Sequence, residues 1–297
     1  MNHIGFGRKL DLVLEELKMV RVMATMFTHN GNQKMFFEAF RALTRSLGIL
    51  REKSLYIGNL VTGDNLLGFL VIDFSKEFSP SVKKMVGYGF PCEIFYRRPG
   101  EGFCSNINFA LSLANDSDID YLIQVNDDAF VHPGFVYQAV VMMKRTNAAF
   151  IGGTPQDDGK WNSDPKELYY PEMVDQTRTI TNFVHGNWEM SGCIMDVKKI
   201  LECGGMDENF DNYLGLCGDN DLFLRLAKKG ENIYATRLMR FWHSRGVTQS
   251  KFGRDPYDPK DSVKAGAVAY LKKKWGVDIS ENPTATIGDF NLVQEVI

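Results

Sequence analysis

The stretch "YLIQVNDDAFVHPG", residues 121–134, decides how this chain is read. It begins as an apolar strand and ends in a turn, and at the strand's exit stand Asn126, Asp127 and Asp128. Two neighbouring carboxylates repel, and each raises the pKa of the other. A cation would remove the conflict, and a hard divalent ion prefers oxygen ligands of this kind. The same residues also suit an Asx turn, in which Asn and Asp side chains bond their own backbone. Taken alone, the acidic pair does not choose between these readings.

Outward from this stretch, strand and helix patterns alternate. Toward the N-terminus, Leu10, Val13, Leu14 and Leu17 predict a helix over 6–19. "VRVMATMF" (20–27) predicts a buried strand ending in the turn Thr28–Gly31. Phe36, Phe40, Leu43 and Leu47 predict a second helix. Strands are expected at 54–59, 68–75 and 92–97, with a helix from Ser79-Pro80 to Gly87. A helical stripe from Phe103 to Ala114 leads into the strand at 120–125, followed by a helix over 133–146 and a strand over 148–152.

Such alternation predicts an α/β fold with a mixed, mostly parallel sheet flanked by helices. Ligands of these sheets sit at the carboxyl ends of the strands. Three polar turns then share one rim: Thr28–Gly31, Asp73–Ser75 and Asn126–Asp128.

Residues 154–190 break the pattern. They are rich in Pro, Asp, Asn and Tyr, and a loop this long in a compact domain is usually functional or disordered. Trp161, Tyr169, Tyr170 and Trp188 argue against plain disorder. Helices are expected at 196–205 and 221–230, each closed by glycine. Strands are expected at 232–236 and 239–242, then a helix at 262–275.

Composition narrows the function. A net charge of −3 carries no basic footprint for nucleic acid, so a nucleic-acid acceptor has no support from charge. No run of about eighteen apolar residues occurs, so no membrane span is expected. The N-terminus lacks the apolar core of a signal peptide. The five cysteines contain no CxxC pair and read as reduced thiols, which points to a cytoplasmic protein. Neither a P-loop nor a GxSxG elbow is present.

Two further elements carry chemistry. In "GLCGDNDLFLRLAKKG" (215–230), Asp219 and Asp221 open a helix, where they either complement the helix dipole or supply a general base at a cleft rim. In "FWHSRG" (241–246), His243 is either structural or a neutral imidazole that completes the shell of a cation held at Asp128.

The ordered series "VIDFS", "VNDDAFVHPGF", "ECGGMDENFDNYLGLCGDNDLFLRL" and "FWHSRG" resembles the inverting glycosyltransferases of family 2, which have the GT-A fold. The resemblance covers roughly residues 20–250 and rests on the order of the pieces more than on any single one. It implies one GT-A (Rossmann-like) domain over 1–297: a nucleotide-sugar-binding half at 20–152, an acceptor and catalytic half at 153–250, and a C-terminal loop and helix at 251–297. It implies a nucleotide-sugar donor, commonly UDP-linked, and Mn²⁺ or Mg²⁺ as cofactor, with a glycan or other hydroxyl acceptor.

Residue by residue, the resemblance assigns Thr28, Asn30 and Asp73 to the nucleobase end. Asn126 falls at the ribose, Asp127 is counted among the nucleotide-sugar-binding residues, and Asp128 and His243 fall at the metal. Asp219 becomes the catalytic base. Asp221 and the ring of Trp188 are placed on the acceptor side. Two positions depart from the family pattern: Asn126 stands where Asp is usual, and Gly218 stands where Glu is usual. These departures keep open a catalytically inactive nucleotide-sugar-binding module. Acidic clusters also serve metal-dependent phosphoryl-transfer enzymes, which the missing basic patch disfavours.

Overall fold

A computed structural model of the chain describes residues 20–28, 38–48, 68–73, 92–96, 102–155, 190–243 and 261–276. The elements expected at 6–19, 54–59 and 79–87, and residues 156–189 of the aromatic loop, lie outside them.

Eight strands form one sheet in the order β3-β2-β1-β4-β7-β6-β8-β5. They are β1 (Val22–Thr28), β2 (Gly68–Asp73), β3 (Cys92–Tyr96), β4 (Tyr121–Asn126), β5 (Ala129–Val131), β6 (Phe150–Pro155), β7 (Gly192–Asp196) and β8 (Ile233–His243). The half β3-β2-β1-β4 is entirely parallel, as is the β6/β8 pair. The strands β7 and β5 run antiparallel to their neighbours. The mixed, mostly parallel α/β sheet is therefore the one the alternating pattern predicts.

Helices cover both faces. They are α1 (38–48), α2 (Phe103–Asp116), α3 (Phe135–Thr146), α4 (Val197–Glu202), α5 (Gly218–Lys228) and α6 (Ser262–Trp275), with a 3₁₀ turn at Glu208–Tyr213. Successive side chains of a strand point to opposite faces, and β1 shows the consequence. Val22, Ala24 and Met26 pack with Phe40, Leu43 and Leu47 of α1 and with Phe135 and Val136 of α3. Met23 and Phe27 pack with Ile107 and Leu111 of α2, Ile200 of α4, Phe223 of α5 and Leu271 of α6. A strand buried on both faces reads as a continuous apolar run, which is why "VRVMATMF" was legible. Each fully buried large side chain, such as Phe135 or Phe223, stabilises the fold by roughly 1.5–3 kcal/mol.

Three expectations need correction. The strands expected at 232–236 and 239–242 are one strand, β8, with an irregularity where its pairing jumps from Gly153↔Thr236 to Thr154↔Arg240. The jump leaves residues 237–239 as a bulge, and a β-carbon on Gly153 would collide with the Met239 carbonyl oxygen. Only glycine lets the two backbones come this close. The strands β5 and β7 were not foreseen, being three and five residues long. The helix expected at 196–205 spans only Val197–Glu202, because Asp196 already belongs to β7 and caps α4 by accepting from the Lys199 N–H at 2.9 Å.

Candidate active site

The parallel half of the sheet aligns its strand ends. Thr28 pairs with Asp73, Phe27 with Asn126, and Asp73 with Tyr96. Thr28, Asp73 and Asn126 therefore occupy one rim, at the carboxyl ends of β1, β2 and β4. Asn30 and Trp188 lie outside the described residues.

Beyond Asn126 the chain turns through Asp127 and Asp128 into β5, which is last in the strand order and pairs with β8. Ala129 lies opposite His243 in that pairing, which brings the neighbouring Asp128 against the imidazole. The His243 Nε2 to Asp128 Oδ1 distance is 3.1 Å, and the two side chains are only 11% and 8% exposed. The sheet thus unites two residues 115 positions apart in the sequence.

This pair suits a divalent cation. Adjacent ligands of an octahedral ion, at bond lengths of about 2.1 Å, lie about 3 Å apart. The donors, one carboxylate oxygen and one imidazole nitrogen, match Mn²⁺ or Mg²⁺ with nitrogen tolerance favouring the former. Among the described residues no third His, Cys, Asp or Glu joins them in a metal-binding group. The remaining positions would fall to water and to oxygens of the ligand.

Asn126 is held from two sides. Gln124, fully buried in the middle of β4, donates from Nε2 to Asn126 Oδ1 at 2.8 Å. Asn126 Nδ2 donates to Ser191 Oγ at 3.2 Å, and its backbone N–H donates to the Ser191 carbonyl at 2.9 Å. An amide answers both an N–H donor and an oxygen neighbour, whereas a carboxylate there could only accept. Gln124 and Ser191 were not singled out from the sequence. The signal was available, since a glutamine inside an apolar strand must find a partner when buried.

Asp219 is half-buried in the first turn of α5, and its Oδ1 accepts the Asn220 N–H at 2.9 Å. Burial raises the thiol pKa of Cys217 to about 12, with Asp219 adding to the rise. Burial also raises the Cys193 thiol far above its ordinary range, and Asp219 again contributes.

Asp221 does not face the rim. It is fully buried, and its carboxylate is taken up by Arg225 Nε at 2.8 Å, Lys274 Nζ at 2.7 Å and Trp275 Nε1 at 2.8 Å. Residues two apart on a helix point about 200° away from each other, so Asp219 and Asp221 serve opposite sides of α5. The expected contact between Asp221 and an acceptor is corrected accordingly.

The molecule is a mixed, mostly parallel sheet flanked by helices, with aligned strand ends on one rim and a carboxylate–imidazole pair where β5 meets β8. A profile described as glycosyl transferase family 2 matches residues 41–196, more than half of the 297-residue chain. The chain belongs to that family and is a glycosyltransferase. The matched span includes Asp73 and Asn126–Asp128 but ends before Asp219 and His243.

Solved structures agree on the fold. A crystal structure of S. aureus TarS residues 1–349 superposes with a TM-score of 0.51 at 10% identity, covering 88% of this chain and 73% of that one. The same fragment in complex with UDP gives 0.50 at 10% identity, covering 91% and 80%. Comparison with curated proteins by sequence finds no match. No helix among the described residues is long and apolar enough to cross a membrane.

Proposed function

We propose that this glycosyltransferase moves a sugar from a UDP-linked donor to a hydroxyl acceptor, with inversion at the anomeric carbon and with dependence on Mn²⁺ or Mg²⁺. The 3.1 Å approach of His243 Nε2 to Asp128 Oδ1 carries this reading. The two side chains are of types that ligate divalent metals, and they meet just past the carboxyl end of β4, the kind of strand end at which ligands of α/β sheets sit. The UDP bound by TarS supports a uridine donor.

The base end of the donor is assigned to Thr28, Asn30 and Asp73. Asn126 is assigned to the ribose, oriented by Gln124 and Ser191, and Asp127 to the nucleotide-sugar more generally. Asp128 and His243 would hold a divalent cation. When bound, a divalent ion supplies Lewis-acid charge that stabilises the departing diphosphate. Asp219 accepts the proton of the acceptor hydroxyl as that oxygen attacks C1, a general-base contribution of roughly 10²–10⁴-fold. One displacement on the face opposite the leaving group inverts the configuration. Trp188 offers a ring on which an acceptor sugar can stack.

The test is turnover. The protein is incubated with Mn²⁺ and a panel of UDP-, GDP- and dTDP-sugars, with and without candidate glycan acceptors, and released nucleotide is measured. UDP release stimulated by an acceptor and abolished by chelation supports the reading. Turnover that survives complete chelation, or that uses only a non-uridine donor, contradicts it.

A further inference from the structure

The acid that would deprotonate the acceptor sits two residues before a carboxylate buried among charged and polar partners. Asp221 is fully buried and receives three donors. Arg225 comes from its own helix, but Lys274 and Trp275 come from the last turn of α6, more than fifty residues away. Lys274 reaches on to Asp207 Oδ2 at 2.7 Å, and the Tyr270 hydroxyl donates to the same oxygen at 3.0 Å. Asp207 in turn caps the 3₁₀ turn by accepting the Asn209 N–H at 3.0 Å. Lys228 lies 5.9 Å above the Trp275 ring, so the indole is held from a second side. The end of α6 is thus bonded both to α5, at the turn that carries Asp219, and to the segment leading into it.

We propose that Lys274 and Trp275 are positioning residues for the transfer reaction: by gripping Asp221 they fix the first turn of α5 and so the place of Asp219. The inference rests on Asp219 acting as the base. A buried carboxylate is stable only when its partners are all present. Helix ends fray unless they are tied down, and α5 begins without a side-chain cap, its N-cap Cys217 adopting a left-handed φ of 64°. Displacing a reacting group by about 1 Å can lower a rate by about a hundredfold.

The experiment compares wild type with Lys274→Met, Trp275→Phe and Lys274→Arg. Two readouts are used: steady-state kinetics with UDP-sugar and acceptor, and amide exchange at residues 218–222. In both Lys274→Met and Trp275→Phe, kcat is expected to fall about tenfold or more while donor KM stays within about twofold. Exchange at 218–222 should quicken while β1 stays protected. Lys274→Arg, which keeps the charge, should restore most of kcat. Trp275→Phe removes the indole N–H while keeping an aromatic ring at the site, so it keeps the test valid should Lys274→Met fail to fold. Unchanged exchange at 218–222 in the folded variants overturns the inference, as does a matched loss of kcat and donor affinity. A wild-type protein that releases no nucleotide contradicts the reading of Asp219 instead, and amide exchange then still decides whether α6 holds α5 in place.

Discussion

Gly218 faces the thiol of Cys104 so closely that a β-carbon at 218 would lie 2.7 Å from Sγ. The glycine at a position where the family usually carries Glu is therefore matched by a sulfur from α2 that fills the space. Gly218→Ala is expected to destabilise the protein by about 1–3 kcal/mol through overpacking, despite alanine's better helix propensity. Adding Cys104→Ala should recover part of that loss, because the next neighbour, Met206 Cε, stands at 3.3 Å. A double-mutant cycle by urea denaturation measures the coupling. Strict additivity would show that the two side chains do not compete.

Gln124 gives a second prediction. Gln124→Met keeps the volume but removes the donor to Asn126 Oδ1. Because Asn126 is only half-buried, water can replace part of the bond, and the stability loss should stay near 1 kcal/mol. Loss of the fixed amide orientation should weaken donor binding more than it slows turnover. Calorimetric titration with UDP and Mn²⁺, together with donor KM and kcat, separates the two effects. A fall in kcat with unchanged UDP affinity would speak against a donor-side role.

Asp219→Asn keeps the shape of the side chain and removes its basicity. The expected outcome is a loss of roughly 10²–10⁴-fold in kcat, with UDP binding retained. Turnover in the variant within about tenfold of wild type would remove Asp219 from the role of base.

The α6 attachment predicts an acid sensitivity. Burial pushes the Asp207 carboxyl upward, but bonds from Lys274, Asn209 and Tyr270 favour its ionised form more strongly and leave it at about 2, below its ordinary 3.8. A carboxyl with a depressed folded-state pKa contributes stability above its unfolded pKa and loses it as pH falls through the folded one. The contribution of Asp207 should therefore be full above about pH 5 and vanish between about pH 4 and pH 2. Urea midpoints of wild type and Asp207→Asn should accordingly converge across that window. A gap that persists at low pH would mean that the carboxylate's charge is not what holds α6.

Much of this was legible beforehand, for identifiable reasons. The buried run in β1 and the turn residues at Thr28, Asp73 and Asn126 are local signals, and parallel register brings them into line. The helix at 262–275 was also plain from its pattern. The bulge in β8 looked like a break between two strands, because periodicity registers the interruption at 237–239 but not the continued pairing with β6. The partner of Asp221 was hidden for another reason: Lys274 and Trp275 are more than fifty residues away, and nothing in the local sequence announces a buried ion pair. That Asp219 and Asp221 face opposite ways follows from helix geometry alone, once the helix is known to start at Gly218.

The central claim is that Asp128 and His243 together hold the cation beside the donor's diphosphate. Its most direct measurement is a Mn²⁺ titration followed by electron paramagnetic resonance, with and without UDP, on wild type, Asp128→Ala and His243→Ala. Wild type should bind Mn²⁺ more tightly when UDP is present, and each substitution should weaken that binding by about tenfold or more, since even an outer-shell partner can be worth that much. Binding of Mn²⁺ with UDP at wild-type affinity in both variants would contradict the account.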